Sequence, residues 1–449
     1  MRRIMIAGTH SGCGKTTITC AILQALVDRG MSVASFKCGP DYIDQMFHQK
    51  VIGTDSHNLD GYFCDGKMLR RLVADNSAGA DISVIEGVMG FYDGVAGKAS
   101  SHAVSREIDC PVVIVIDCKG MSTSIGAVIS GFLNYRKPNN IVGFVFNRLP
   151  EQLAEDVKIL CKELSTEFLG YIPFCKEISL ESRKLGLTTP DGISDLKSKT
   201  SLLASKAEQT VDIEKMLDLA ERDQLSDLAE ISFARVKHVR IAVARDDAFS
   251  FIYNDNISLL ERLGAKIKYF SPLDDNKIPD DCSGLILCGG YPELFVKRLS
   301  DNREMLASIR GKIEDGMPVI AECGGFMYLH ETLVSDDGTE YPLVGVIPGK
   351  TFSTPRLQRF GYVRLRAKTD NLLCKKGESI PAHEFHYWDS ENCGGDFEAV
   401  KESNGRKWDC IHATETMYAG YPHLYFYADI PAAVKFIEAC SKYGVGYDI

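Results

Sequence analysis

Short apolar runs alternate with stretches of helical periodicity along the first part of the chain. Glycine, proline or polar residues bound these runs, and residues 112–116 are apolar throughout. This pattern is typical of parallel strands that helices cover on both faces of a sheet. The runs that predict strands are residues 4–7, 32–36, 82–85, 112–116, 141–146 and 168–172. We therefore predict an α/β fold with a doubly wound, mainly parallel sheet in this part of the chain.

The character of the chain changes near residue 194. Residues 194–237 are rich in Lys, Glu, Ser and Asp, and their apolar positions have helical spacing. A second α/β pattern follows, with apolar runs at residues 239–244, 267–270, 285–287 and 318–321. We expect two doubly wound domains, residues 1–193 and 238–449, joined by a partly helical linker at residues 194–237.

Composition and charge limit what this chain binds. A chain of 449 residues is too long for one hydrophobic core of ordinary size. Its composition, with 45% apolar and 25% charged residues, is typical of a soluble globular protein. Lys and Arg number 51 against 61 Asp and Glu, a net charge of −10 that argues against nucleic acid or an anionic membrane as a partner. No apolar run is long enough to span a bilayer, and the 15 cysteines contain no C-x-x-C pair. We therefore expect a cytoplasmic protein with reduced thiols.

A glycine-rich loop follows the first apolar run and leads directly into a helical pattern. In such a loop, backbone N–H groups surround an anion, and the helix N-terminus adds a favourable dipole. The lysine would reach the terminal phosphates of a nucleotide, and the threonine after it would ligate Mg²⁺. The residues assigned to the nucleotide here are Gly12, Gly14, Lys15, Thr16 and Thr17.

This loop departs from the usual phosphate-loop pattern. Thr9 stands where that pattern has its first glycine, and Gly8 lies one residue earlier, so the loop is a stretched variant. The alternative is a glycine turn ahead of a surface helix. Because Gly-Lys-Thr lies between a strand and a helix, the sequence favours binding of a nucleoside triphosphate.

Polar residues follow several of the predicted strands. Asp41 and Asp44 would bind Mg²⁺ or orient a group near the γ-phosphate, and a capped turn is an equal alternative. Glu86 ends a buried strand, where an unpaired carboxylate is costly, so a metal role is favoured over packing. Asp93 lies in a loop that would reach the substrate, and Asn147 would bind a purine edge or cap a turn. The predicted Mg²⁺ ligands are Thr16, Glu86 and Asp41.

Cys323 follows a predicted strand, precedes two glycines and opens a helix. This strand-to-helix elbow exposes a nucleophile, and a helix N-terminus favours its thiolate. Candidate bases are His383, His386 and His423, of which we favour His423 because it directly precedes an apolar run. The spacing of His383 and His386 does not match a zinc site. The residues expected to stabilise an oxyanion are Gly289, Gly290 and Gly324.

Five motifs together resemble those of the cobyrinate a,c-diamide synthase family. They are Lys37-Cys-Gly-Pro-Asp-Tyr-Ile-Asp44, Ile85-Glu-Gly-Val-Met-Gly-Phe-Tyr-Asp-Gly94, Gly289-Gly-Tyr-Pro-Glu293, Ala321-Glu-Cys-Gly-Gly325 and His383-Glu-Phe-His-Tyr387. The resemblance spans nearly the whole chain. It implies an ATP-binding domain similar to dethiobiotin synthetase, joined to a class I glutamine amidotransferase domain with a Cys323–His423 pair.

The resemblance also implies a reaction. ATP, with Mg²⁺, and glutamine would convert the a and c acetate groups of a corrin polycarboxylate to amides through acyl phosphates. Substrates of similar enzymes, hydrogenobyrinate and nickel-sirohydrochlorin, stay open as alternatives, whereas cobyric acid synthase lacks the Gly-Pro-Asp-Tyr-Ile-Asp segment. A homodimer is a further expectation.

Two segments depart from the family pattern or from that of its relatives. Ser182-Arg-Lys-Leu-Gly-Leu187 stands where the family usually has Glu-Arg-His-Leu-Gly-Leu, which leaves roles of that Glu and His unassigned. Leu424 and Tyr425 follow His423, whereas many class I amidotransferases have His-x-Glu, so we expect a Cys–His pair without the usual third acid.

Two other classes of protein compete with this interpretation. A partitioning-type ATPase also has a stretched phosphate loop, but it typically has a lysine where this chain has His10, and it lacks a glutaminase domain. A regulatory glutamine-binding protein would have an inactive elbow. Release of glutamate from glutamine distinguishes the enzyme from the ATPase, and thiol labelling by a glutamine-like electrophile distinguishes it from the regulatory protein.

Overall fold

The computed structural model of the protein describes residues 1–95, 97–174, 196–231 and 238–444. Contacts within the chain separate two units, Met1–Glu230 and Ile231–Ile449. Each unit has its own buried core in which strands and helices pack together. The prediction of two α/β units with parallel sheets is confirmed.

The first unit is built on one parallel sheet. Its strands are Arg3–Gly8 (β1), Val33–Cys38 (β2), Ser56–Leu59 (β3), Ile82–Glu86 (β4), Val112–Asp117 (β5), Ile141–Asn147 (β6) and Glu167–Ile172 (β7). They lie in the order β3-β2-β4-β1-β5-β6-β7, and every neighbouring pair is parallel. The loops after β1, β2, β4 and β6 therefore meet at one edge of the sheet.

The sequence did not predict β3. Its residues read Ser-His-Asn-Leu, without an apolar run, yet both Ser56 and Asn58 are buried. The Asn58 amide donates to the carbonyls of Gly39 and Asp41, at 2.9 and 3.0 Å. Tertiary hydrogen bonds thus stabilise a strand that hydrophobicity alone does not mark.

The helices of the first unit include segments beyond residue 194. They are Lys15–Asp28 (α1), Ile43–Phe47 (α2), Gly66–Asn76 (α3), Ser101–Glu107 (α4), Ile125–Asn134 (α5), Ala154–Glu163 (α6), Leu196–Thr210 (α7) and Ile213–Leu219 (α8). Short π and 3-10 turns lie at His48–Ile52 and Glu151–Leu153. Apolar residues of α7 and α8 belong to the same core as α1, so the helices of the predicted linker segment pack into the first unit.

The second unit combines a mainly parallel sheet with two further sheets. The mainly parallel sheet contains Val239–Ala244 (β8), Ala265–Phe270 (β9), Gly284–Leu287 (β10), Val319–Glu322 (β11), His412–Ala413 (β20) and Met417–Gly420 (β21). Their order is β20-β21-β11-β10-β8-β9, and only the edge pair β20-β21 is antiparallel. The strand ends of β10 and β11 therefore lie side by side.

The other sheets come mainly from the segment between β11 and β20, with one further strand from after β21. A four-stranded sheet contains His330–Val334 (β12), Glu340–Pro342 (β13), Ile347–Ser353 (β14) and Trp388–Ser390 (β17). A five-stranded antiparallel sheet contains Arg359–Ala367 (β15), Ser379–His386 (β16), Phe397–Lys401 (β18), Lys407–Cys410 (β19) and His423–Leu424 (β22). Because β22 pairs with β16, this second sheet holds the segment that contains His423.

Helices cover the mainly parallel sheet of the second unit. They are Asn254–Arg262 (α9), Val296–Asp301 (α10), Arg303–Glu314 (α11), Gly324–Tyr328 (α12) and Ile430–Tyr443 (α13), with 3-10 turns at Pro292–Phe295 and Phe426–Ala428. In the parts of the chain that the structure describes, every helix falls short of the length and apolar character required to cross a bilayer.

Candidate active sites of the two units

The loop between β1 and α1 has the backbone of an anion-binding site. Gly12 and Gly14 have positive φ angles of 83° and 94°, and α1 begins directly after Gly14. No side chain caps this N-terminus and no acidic residue lies in the first turn, so the N–H groups there remain available for an anion. Lys15 is 8% exposed, and no ion-pair partner for its ammonium is found among the described residues. These features suit a phosphate chain.

Asn147, at the end of β6, forms a hydrogen bond with this loop. Its side-chain nitrogen donates to the carbonyl oxygen of Cys13 at 3.0 Å. A Cβ placed on Gly14 would lie 1.9 Å from the same nitrogen. The Asn147 amide nitrogen therefore contacts the phosphate loop itself, and its predicted contact with a purine edge stays a prediction.

Replacing Gly14 with alanine should weaken nucleotide use. The new Cβ would displace the Asn147 amide, and alanine at a φ of 94° adds strain of about 1 kcal/mol or more. We expect the KM for ATP to rise by about tenfold, since about 1.4 kcal/mol corresponds to that factor. Gly30→Ala is the matched control, because Gly30 also has a positive φ of 78° but no atom within 4 Å of the added Cβ. Equal KM values in the two variants would contradict the prediction.

A buried cluster of charges lies beside the loop, at the ends of β2 and β4. The Thr16 hydroxyl donates to Glu86 Oε1 at 2.6 Å. The Lys37 ammonium donates to the same Glu86 oxygen at 2.8 Å and lies 2.5 Å from Asp44 Oδ2. His48 Nε2 lies 3.4 Å from the other Glu86 oxygen, Oε2. The structure thus brings together Thr16, Glu86 and Asp44 of the predicted set.

The ionisation of this cluster follows from its burial and its charges. Burial raises the pKa of Glu86, but the Lys37 ammonium and His48 outweigh burial and hold that pKa well below its usual range. Burial, with the carboxylates of Asp41 and Glu86, raises the pKa of Asp44 to about 7. Glu86 is therefore a charged carboxylate at the centre of the cluster.

Two other predicted carboxylates also have local structural partners. Asp41 Oδ1 accepts hydrogen bonds from the N–H groups of Ile43 and Asp44, at 2.9 and 3.1 Å, at the start of α2. Asp93 Oδ2 accepts from the N–H group of Gly90 at 3.0 Å. The capped-turn alternative describes the Asp41 contacts, and the roles of Asp41 and Asp93 toward metal or substrate stay predictions.

The second site begins at the elbow between β11 and α12. Cys323 has φ 49° and ψ −105°, an unfavourable conformation for a residue with a side chain. Its N–H group donates to the Gly420 carbonyl at 2.8 Å, and its side chain is 8% exposed. Such strain costs on the order of 1–3 kcal/mol and is typical of a residue held in place for chemistry.

A glycine turn after β10 lies against this elbow. A Cβ on Gly324 would lie 3.0 Å from the backbone nitrogen of Gly290, so the two backbones are in close contact. A Cβ on Gly289 would lie 2.7 Å from Cε1 of His423, and one on Gly290 would lie 2.1 Å from the Ala248 carbonyl. The structure therefore gathers the predicted glycines and His423 at one place, where side chains larger than hydrogen do not fit.

His423 is buried and charged. Burial lowers its pKa, but interactions with the Cys323 and Glu322 side chains outweigh burial and raise that pKa to about 10. By contrast, burial lowers the pKa of His383 to about 3 and that of His386 to about 4. His386 stacks on Tyr421 with a centroid distance of 3.8 Å. Of the three candidate histidines, His423 is the one hydrogen-bonded to Cys323.

Sequence reasoning missed three residues of these sites. Lys37 and His48 hold Glu86, and Glu322 Oε2 lies 3.5 Å from His423 Nδ1. The usual acid two residues after the histidine is absent from the sequence, and the Glu322 contact comes from the residue before Cys323 instead. A signal existed for Lys37 and Glu322, because a charged residue in an apolar strand needs a partner. No comparable pattern marks His48.

Comparison with protein families gives two matches. Residues 4–187 match the model of the CobQ/CobB/MinD/ParA nucleotide binding domain. Residues 240–430 match that of the CobB/CobQ-like glutamine amidotransferase domain. The variant segment Ser182-Arg-Lys-Leu-Gly-Leu187 lies outside the described residues.

Curated relatives resemble the chain over nearly its whole length. A cobyrinate a,c-diamide synthase of Caldanaerobacter subterraneus is 38% identical, over 99% of this chain and 99% of the relative. One from Listeria innocua is 37% identical, over 95% and 97% of the two chains, and one from Salmonella typhimurium is 37% identical, over 94% of each.

Solved structures resemble parts of the chain. PurLQS from Thermotoga maritima matches 46% of this chain and 99% of its own, with 18% identity and a TM-score of 0.33. The MinD cell division protein of Aquifex aeolicus matches 49% of this chain and 95% of its own, with 15% identity and a TM-score of 0.30.

Proposed function

The chain belongs to the cobyrinate a,c-diamide synthase family, and we propose that it uses ATP and glutamine to amidate the a and c acetate carboxylates of cobyrinate. The observation that carries this proposal is the presence of two separate reactive centres in one chain. The first unit has an anion-binding loop beside a charged carboxylate. The second has a strained cysteine hydrogen-bonded to a histidine.

The first centre suits the activation of a carboxylate. A substrate carboxylate oxygen attacks the γ-phosphorus of ATP, the bond to the β–γ bridging oxygen breaks, and the products are an acyl phosphate and ADP. Lys15 and the N–H groups of the loop stabilise the negative charge that develops on the phosphate oxygens. Gly12 and Gly14 in the loop and Thr17 in the first turn of α1 would surround the nucleotide. Asp41 and Asp93 in loops and Asp44 in α2 would face the carboxylate.

The donor set of the first centre fits Mg²⁺. The Thr16 hydroxyl and the Glu86 carboxylate are hard oxygen donors 2.6 Å apart beside the phosphate loop. Thr16 and Glu86 would hold the ion, with Asp41 as a further predicted ligand. When bound, Mg²⁺ neutralises charge on the nucleotide phosphates.

The second centre suits the release of ammonia from glutamine. With the thiol proton of Cys323 already held on His423, the sulfur attacks the carboxamide carbon to form a tetrahedral oxyanion beside Gly289, Gly290 and Gly324. The carbon–nitrogen bond then breaks, the His423 proton goes to the leaving nitrogen, and ammonia departs. Water hydrolyses the thioester, which returns the thiol and gives glutamate.

The final amidation step joins the products of the two half-reactions and needs a dry environment. Ammonia attacks the acyl phosphate only in its neutral form, which bulk water at pH 7 would largely protonate, and water also hydrolyses acyl phosphates. This requirement explains why one chain joins both centres. We further propose a homodimer and a cytoplasmic location.

An amidation assay with a panel of tetrapyrroles tests this function. We expect ATP- and glutamine-dependent amide formation on cobyrinate, at a kcat/KM at least about tenfold above the values for hydrogenobyrinate and nickel-sirohydrochlorin, with glutamate released in equal amounts. A higher kcat/KM for either alternative would replace the proposed substrate. Amidation of none of them, with ATP hydrolysed and no glutamate released, would favour the partitioning-type ATPase.

A further inference from the structure

Many class I amidotransferases have an acid two residues after the histidine, as the third member of a Cys–His–Glu triad. In this chain an aromatic residue occupies that position. In His-x-Glu the glutamate lies two residues after the histidine, and here Tyr425 has that place. Tyr425 is 1% exposed and packs edge-on against Tyr253, with a centroid distance of 5.1 Å and an interplanar angle of 85°. An acid that acts on His423 must therefore come from elsewhere in the fold.

Glu322 supplies a carboxylate at the back of the His423 ring. It is 8% exposed and is the last residue of β11, immediately before the nucleophile. Its Oε1 accepts a hydrogen bond from the N–H group of Leu424 at 3.1 Å, and its Oε2 lies 3.5 Å from His423 Nδ1. One carboxylate thus holds both the backbone after the histidine and the ring itself.

The same strand pair fixes the nucleophile and the acid. Glu322 is paired with Gly420 in the parallel register of β11 and β21, and the Cys323 N–H group donates to the Gly420 carbonyl. The segment after His423 is held from the other side by Asn256, whose amide bonds the Leu424 carbonyl at 2.8 Å and the Phe426 N–H group at 2.7 Å. The distance between Glu322 and His423 is therefore set by rigid elements.

We propose that Glu322 is the positioning residue of the glutaminase centre. It is the acid that completes a triad with Cys323 and His423, and it comes from the position before the nucleophile. This inference rests on the proposed function. With Nδ1–H directed at Glu322, the other ring nitrogen, Nε2, is the one that holds the thiol proton of Cys323. The carboxylate stabilises the imidazolium that forms, and the imidazolium then gives its proton to the leaving nitrogen.

The groups that face His423 make Glu322 the source of this stabilisation. From β16 it is approached by His383, Glu384 and His386. Both histidines are neutral at pH 7 because burial lowers their pKa values to about 3 and 4. Burial raises the pKa of Glu384 to about 7. The two side chains that raise the pKa of His423 are those of Cys323 and Glu322.

A pH profile of glutaminase activity follows from this arrangement. The pKa of His423 is raised to about 10, above the ordinary value of about 6.5, so the imidazolium persists until the pH approaches 10. The alkaline limb of kcat/KM reports loss of that proton. Removal of the Glu322 charge removes one interaction that raises the pKa, so the limb must move to lower pH.

The variant Glu322→Gln tests the proposal, because glutamine still accepts the Leu424 hydrogen bond but has no charge. We expect kcat for glutamate release to fall by at least about tenfold, with a smaller change in KM and an alkaline limb at lower pH. Glu322→Asp keeps the charge on a shorter side chain. It should restore part of kcat and move the alkaline limb part of the way back to higher pH. Glu331→Gln is the matched control, since exposed Glu331 also accepts from a backbone N–H group, that of Gly349, at 2.9 Å.

Each outcome decides the proposal. If Glu322→Gln has the kcat and the pH profile of the unmodified enzyme, the proposal is overturned. A lower kcat with an unchanged alkaline limb of the kcat/KM profile also overturns it, because that result indicates a structural role only. Amidation with ammonium salts shows whether the variant is folded. If the variant is not folded, the pH profile of kcat/KM for the unmodified enzyme decides. An alkaline limb below pH 8 in that profile overturns the proposal. Absence of glutaminase activity in the unmodified enzyme refutes the proposed function instead.

Discussion

Replacing Cys323 with alanine should abolish glutamine-dependent amidation and leave amidation with ammonium salts intact. The substitution removes the only atom that forms the thioester, so glutamate release should fall by about 10³-fold or more, as expected when a covalent nucleophile is lost. The first unit keeps its loop, its Lys15 and its carboxylate cluster, which lie on different elements. Added ammonia then replaces the nitrogen that glutamine normally provides.

A second cysteine of the same unit provides the control for this experiment. Cys440 is 0% exposed on α13, so Cys440→Ala also removes one buried sulfur from the unit. That variant should lose only some stability and keep glutaminase activity. Loss of both glutamine- and ammonium-dependent amidation in a folded Cys323→Ala protein would remove Cys323 from its assigned role, and so would unchanged glutamate release.

The sequence predicts the elements whose periodicity is strong. The apolar runs at residues 112–116 and 141–146 are central strands of the first sheet, and the α/β class of both units is confirmed. The edge strand β3 escapes prediction because hydrogen bonds from Asn58, rather than apolar residues, stabilise it. The four-stranded and five-stranded sheets depend on pairings between separated segments, such as β14 with β17 and β16 with β22, which local pattern does not specify.

Motifs at strand ends locate the candidate sites but not their internal contacts. The order of strand, glycine loop and helix marks Lys15 and Cys323, because backbone geometry requires it. Whether an acid at a strand end meets a cation, a hydroxyl or a histidine depends on which strands are neighbours. Lys37 meets Glu86 because β2 lies beside β4, and Glu322 meets His423 because β11 lies beside β21. Those adjacencies come from the tertiary fold.

The contrast between Glu86 and Glu322 shows how much the surroundings of similar residues matter. Both glutamates end a buried parallel strand directly before a glycine or a cysteine of a reactive loop. Glu86 contacts the Thr16 hydroxyl and the Lys37 ammonium, whose charge holds the pKa of Glu86 low, whereas Glu322 lies beside the His423 imidazole, whose pKa it helps to raise. The sequence marks both as buried acids, and only their partners assign the chemistry.

Replacing Lys15 with alanine should stop amidation from either nitrogen source while glutamate release survives. In the proposed function the ammonium of Lys15 stabilises the terminal phosphates, and loss of one such charge typically costs about 10²–10³-fold in kcat. The cysteine and histidine of the second unit keep their partners, because these partners all lie in the second unit. Lys158→Ala, which removes an exposed lysine of α6, is the control and should behave like the unmodified enzyme. Normal amidation by Lys15→Ala would contradict the assignment of the loop, and joint loss of amidation and glutaminase activity would show instead that Lys15 controls both centres.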